Sequence, residues 1–232
     1  MTTVAAVADT EPDRQALLTA LTTEHFTLQG ARSQTVSESA SRASLYVFSV
    51  SSTLVALGFI GQLSDVGDAF NVFALTALPT LYVLGLFTFT RLVQITVEDI
   101  FYGRAINRIR HHYLDLAGDQ AHLFMLSGHD DPRGVLSNMA LRPSRWQPYF
   151  TAASMIAVVN SVVGGAAVAI AVGAMSDASL GIAAGIGGVT AIASVVTLRR
   201  HEASMLRAGA AGHEALFPSA LPSGGEQTAD FH

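Results

Sequence analysis

The octapeptide RIRHHYLD at residues 108–115 sets His111 and Asp115 four residues apart, on one face of a helix, with His122 and His129 further along. Imidazole and carboxylate are both zinc ligands, but a zinc site takes three or four protein donors, and only this one pair has ligand spacing. RRHE at 199–202 and GHE at 212–214 add His201, Glu202, His213 and Glu214, without the HExxH spacing of a zinc hydrolase. The glycine cluster AAGIGGVTA at 183–191 would cradle a phosphate only between a strand and a helix, with a lysine or a downstream acid; its flanks are apolar instead. No GxSxG, paired-acid or Walker pattern occurs. The histidines are therefore expected to be solvated, with no metal, no cofactor and no catalytic residue, and the chain reads as non-enzymatic.

Composition says which solvent must position these residues. Half of the 232 residues are hydrophobic and 13% are charged, with a mean hydropathy of +0.40; such a chain belongs in lipid. All 13 basic residues are arginine, and the formal charge of -5 gives no general attraction to nucleic acid. Without cysteine there is no disulfide, thiol nucleophile or S-acyl anchor. The acidic N-terminal stretch TTVAAVADTEPD lacks the basic start of a secretory signal, so none is expected to be cleaved.

Uncharged runs of roughly 21 to 22 residues lie between Arg42 and Asp65, between Asp68 and Arg91, and between Asp177 and Arg199; each is about 33 Å as helix, enough to cross a bilayer. A fourth follows Arg145, with Trp146 and Tyr149 as headgroup-level aromatics. The two hairpin turns carry Asp65, Asp68 and Asp177 and no arginine, whereas every arginine flanks the other ends. The positive-inside rule then puts both termini and the central segment in the cytoplasm of a bacterial inner-membrane protein. The spans contain no Asp, Glu, Arg or His, which disfavours a pump or an ion-coupled transporter.

Within the spans the glycines read as helix-packing residues. Ala157, Ser161, Gly165 and Ala169 recur every fourth residue in the third span. In the fourth, Ala184, Gly187, Gly188 and Ala191 form a small face, flanked by the GxxxG pair Gly181 and Gly185 and opposed by Ile182, Ile186, Val189 and Val196. A tight hairpin of the third and fourth helices follows. Asn160, near the centre of the third span, is expected to clamp a neighbouring helix rather than line a pore. Ser44, Ser49, Ser51, Ser52, Thr53, Thr76 and Thr80 offer hydroxyls to their own carbonyls or to a neighbour, and Pro79 should bend the second span.

Outside the spans, residues 13–41 read as helix with Leu17, Leu21 and Leu28 on one stripe. The second span continues as an amphipathic stalk marked by Tyr102, Ile106, Ile109, Tyr113 and Leu116. The stalk can pack on the N-terminal helix, or meet headgroups or another protein through Arg104, Arg108 and Arg110; Arg199 and Arg200 should anchor the last helix at the headgroups. Asp131 before Pro132 predicts a short helix to about residue 140. From Leu206 onward, composition predicts a disordered tail.

The predicted organisation is all-α: a cytoplasmic helix at 1–42, a transmembrane hairpin at 43–91, a cytoplasmic amphipathic helix and loop at 92–145, a second hairpin at 146–198 and a partly disordered cytoplasmic tail at 199–232. EHFTLQGARSQTVSESASRASLYVFSVSSTLVALGF and INRIRHHY resemble uncharacterised bacterial integral membrane proteins over the first half of the chain. In architecture alone the chain is similar to SLATT-type membrane effectors, a likeness that implies a pore. The expected partners are the lipid bilayer, further copies of the chain and a cytosolic protein, not nucleic acid. The leading expectation is a self-associating membrane protein acting as an oligomeric pore or effector. A scaffold recruiting its partner through residues 92–140 is the alternative, and a membrane-embedded enzyme comes last.

Overall fold

The computed structural model describes residues 11–62, 67–139, 151–176, 178–211 and 214–220. Among these every regular element is helical: α1 (Glu11–Gly61), α2 (Gly67–Ala117), a 3-10 turn (Gly118–Leu123), α3 (Pro132–Asn138), α4 (Ala152–Met175) and α5 (Leu180–Ala211). Local chemistry sets several of the ends. Glu11 and Asp13 lie at the positive end of the α1 dipole. The Asp131 side chain caps α3 by accepting from the Gly134 amide, with Pro132 following as the sequence predicted. Thr151 caps α4 by accepting from the Ser154 amide at 3.0 Å. Trp146 and Tyr149 lie outside the described residues.

α1, α2, α4 and α5 are each long and apolar enough to cross a membrane, which makes this a multi-pass membrane architecture. α2 stays helical through Pro79, which cannot give an amide to the Leu75 carbonyl.

The chain divides into two compact units. The first holds residues 35–99 and 143–213, and α4 lies deepest in it. Tyr46 of α1, Phe89 and Leu92 of α2, and Ile156 and Asn160 of α4 are all fully buried there. Bulk turns outward: Phe48, Phe59, Phe87, Val162, Val189 and Ile192 are exposed, a continuous apolar exterior that water does not sustain and lipid does. Because hydrocarbon gives helices no hydrophobic reason to associate, close packing and internal hydrogen bonds hold this unit together.

The second unit holds residues 1–34, 100–142 and 214–232. Leu28, Ile106 and Ile109 form its core, with Leu21, Tyr102 and Tyr113 packed against them, so the stalk of α2 lies on the N-terminal part of α1. Leu17, on the same predicted stripe, is exposed. Val135 of α3 is buried, and Gly103 makes room for it: a Cβ there would stand 2.9 Å from Val135 Cγ1.

Candidate functional site

Polar contacts inside the spans are few, and each is built by a small residue opposite. Tyr46 donates to Asn160 Oδ1 at 2.9 Å. A Cβ at Gly85 would overlap the Asn160 amide and the Tyr46 hydroxyl, so only glycine admits this pair. Asn160 Nδ2 finds no partner among the described residues; whichever way the amide is turned, one of its polar atoms stays unmet, at a cost of about 1–3 kcal/mol. At the next residue of α4, Ser161 donates to Ser194 of α5 at 3.1 Å, and Ser194 meets the Tyr82 hydroxyl of α2, also at 3.1 Å. Gly164 leaves room for the Tyr82 ring, which a Cβ would approach to 2.6 Å. Beside this relay a crevice of about 320 Å³ opens among Leu75, Pro79, Tyr82, Gly164, Ala167 and Val168. Ser49, Thr53, Thr76 and Thr80 bond carbonyls of their own helix.

α4 and α5 touch at Gly165 and Gly187: a Cβ on either would stand 2.5 Å from the other's carbonyl oxygen and 2.8 Å from Ala191 or Ala169. Ala157, Ser161 and Gly165 are buried, with Ala169 at the crossing. On α5 the predicted small face divides between two sides. Gly187 is buried, but Gly181, Gly185 and Gly188 have nothing within 4 Å of where a Cβ would stand, and Ala184 is exposed. α5 presents one stripe through Ala183, Gly187, Ala191, Ser194, Leu198 and Glu202 to its neighbours, while Gly181, Ala184, Gly185 and Gly188 look outward.

Charges gather where the uncharged runs end. Arg91 donates to both carboxylate oxygens of Glu38, each at 3.0 Å, and to Glu98 at 2.7 Å; Arg42 also reaches Glu38. Arg199 pairs with Glu202 at 2.7 Å and bonds Ser154, tying α5 to the first turn of α4 rather than to headgroups alone; Arg200 is exposed. Sequence reasoning missed Glu38 and Glu98, and met Glu202 only as a candidate metal ligand rather than as the partner of Arg199. Their signal was an acid one turn outside Arg42 and Arg199 and two turns outside Arg91.

The densest polar cluster lies in the unit with residues 100–142. Arg104 is buried and donates to the Asp130 carbonyl at 2.8 Å, while Arg108 reaches Asp130 Oδ2 at 2.9 and 2.7 Å. Arg110 bonds Asn107 at 2.8 Å and the Ser127 carbonyl at 3.4 Å. Of these three arginines, expected at headgroups or a partner surface, Arg104 is buried, Arg110 is half-buried and Arg108 stays exposed; the loop at 127–131 folds back over α2 and offers them carbonyls and one carboxylate. Asp130 is fully buried. Its carboxylate accepts from the Phe217 amide at 2.8 Å and the Leu216 amide at 3.1 Å, while its own amide donates to the Phe217 carbonyl at 3.2 Å. Burial pushes the Asp130 carboxyl up, but the Phe217 amide, the Arg108 guanidinium and the Leu216 amide outweigh it and hold the group below the usual 3.8. Ser219 donates to Asp131 at 2.6 Å, and the Phe217 ring stacks on His111 with centroids 3.7 Å apart. Where composition predicts disorder, from Leu206 onward, the described residues form helix to Ala211 and a docked segment at 214–220, and 212–213 and 221–232 lie outside the described residues.

His111 is engaged by Phe217 and lies 3.6 Å from Asp115, and His122 bonds the Asp119 carbonyl. Among the described residues no three His, Asp or Glu side chains converge as a metal site; His213 lies outside them. In comparison with known proteins, no family model, curated protein or solved structure matches this chain.

Proposed function

We propose that the chain is a non-enzymatic, self-associating component of the bacterial inner membrane, with both termini cytoplasmic, that works as an oligomeric membrane effector. The observation that carries this reading is the outward row Gly181, Gly185 and Gly188 on α5, which no described part of the same chain covers. In hydrocarbon, helices associate where small residues let backbones approach, so such a row invites a second helix. A crevice of about 500 Å³ beside Ser44, Ser51 and Met155 supports it from the α1 side. Because Tyr46, Phe89, Leu92 and Ile156 fill the interior of the spanning unit, any solute path runs along a seam between copies. In liposomes, subunit counting by stepwise photobleaching and release of a trapped dye should show oligomers that leak, and Gly181→Leu with Gly185→Leu should suppress both. Monomers in mild detergent and in bilayers, with no leakage, overturn the reading.

A second reading, recruitment of a cytosolic protein through residues 92–140, is favoured by one observation. Leu123, Phe124, Met125 and Leu126 form an exposed apolar run, with Met125 96% exposed. Met125→Asp should then abolish co-purification of that partner, and unchanged co-purification counts against recruitment.

A further inference from the structure

The segment at 214–220 is bound as a ligand is bound. Its exposure alternates residue by residue, with Ala215, Phe217 and Ser219 turned toward the protein and Glu214, Leu216, Pro218 and Ala220 turned to solvent. That is the period of an extended peptide, in which main-chain hydrogen bonds supply affinity and every second side chain supplies selectivity. Here the Asp130 carboxylate takes two consecutive amides and the Asp130 amide returns a bond to the Phe217 carbonyl. Phe217 lies flat on His111, and Ser219 reaches Asp131.

The seat is built without help from its occupant. Asn107 holds the His129 carbonyl at 2.8 Å, Arg104 holds that of Asp130, and Asn138 bonds both Asn107 and the Ser127 carbonyl. Gly128 lies so close to α2 that a Cβ would stand 2.9 Å from His111 Cα. The Asp131 side chain is fixed by capping α3. Such a preformed site can take its peptide in trans as well as in cis, since little ordering is asked of it on binding.

The geometry points to a preformed receptor, made by His111, Asp130 and Asp131, for an extended Ala-x-Phe-x-Ser segment, whose occupant in trans is the tail of a second copy of this chain. The second copy is the partner because the pattern that fits the seat is written in the chain itself, at Ala215, Phe217 and Ser219. This contact is separate from any association through the spans.

The test uses detergent-solubilised protein ending at Ala211 and a fluorescent peptide covering residues 212–222. Saturable binding is expected, weakened about tenfold or more when the peptide carries Phe217→Ala, because the stack and the buried ring are lost. Placing the change in the peptide leaves the protein's folding untouched. Next, with Gly181→Leu and Gly185→Leu in both copies to remove association through the spans, a tagged copy lacking the tail should capture an untagged full-length copy, and Phe217→Ala in the full-length copy should end that capture. Failure of the peptide to bind, or capture that ignores Phe217, overturns the inference. Capture that persists when both copies lack tails belongs to the spans, so loss of the tail inference and loss of span-driven association are read separately.

Discussion

Replacing Gly187 with alanine should weaken the protein, while the same change at the adjacent Gly188 should not. A Cβ at Gly187 would stand 2.5 Å from the Gly165 carbonyl oxygen and 2.8 Å from Ala169 Cβ, where ordinary contact begins near 3.4 Å. Backbone cannot rotate away as a side chain can, so α4 and α5 must separate, and overpacking of this kind costs about 1–3 kcal/mol. At Gly188 nothing stands within 4 Å of the added methyl. Both variants share the gain in helix propensity of about 1 kcal/mol measured for glycine-to-alanine changes. Their difference therefore isolates the clash. Unfolding of each variant by sodium dodecyl sulfate in mixed micelles, followed by far-ultraviolet circular dichroism, gives that difference directly. Gly187→Ala should fall below Gly188→Ala by about 1–3 kcal/mol. Equal stabilities, or a more stable Gly187→Ala, refute the close crossing and with it the packing of the second hairpin.

The buried pair at the middle of the spans gives a second test. A double-mutant cycle of Asn160→Leu with Tyr46→Phe in the same micelle assay should give a coupling of about 0.6 to 2 kcal/mol; additive effects would count against the bond. The tail contact has a defined pH response. The Asp130 carboxyl is held below its usual value, so its contribution is complete above 3.8 and lost as the pH falls through the lowered folded value. The charged and titratable groups around it are Arg104, Arg108, Asp131 and His111. Amide exchange at Leu216 and Phe217 should therefore stay protected at about pH 5 and quicken only in stronger acid; loss of protection near neutrality would contradict the assignment. Asp131→Ala removes the cap of α3 and the partner of Ser219 together, and should release the tail to limited proteolysis and cost about 1 kcal/mol in denaturant unfolding.

The spans and the helical extensions were legible because they rest on local quantities. An uncharged run of sufficient length has few alternatives to a spanning helix, and the spacing of Tyr102, Ile106, Ile109 and Tyr113 carries α2 beyond its span. The Asp131–Pro132 pair likewise marks the start of α3. What the chain's own pattern concealed depends on distant partners. Gly187 and Gly188 are identical in type and adjacent in sequence, yet only one meets α4, because the rotation of α5 is set by Gly165, Ala169 and the Tyr82–Ser194 bond. Arg104 and Arg108 sit on the polar face of an amphipathic helix, the usual mark of exposure, yet Arg104 is buried and both bond Asp130, more than twenty residues away. The composition of the tail argues for disorder, but its docking depends chiefly on main-chain amides that every residue but proline carries. Tyr46 and Gly85 went unremarked because a tyrosine and a glycine in separate apolar runs acquire meaning only opposite Asn160.

The membrane arrangement itself can be measured residue by residue, because the chain has no native cysteine. Single substitutions Gly67→Cys and Ser179→Cys, in the two acidic turns, should react with a membrane-impermeant maleimide on intact cells, or on spheroplasts. Arg133→Cys and Ala220→Cys should react only after the membrane is opened. The reverse pattern contradicts the threading, and equal labelling of all four positions in protein recovered from the aqueous fraction contradicts the four spanning helices altogether.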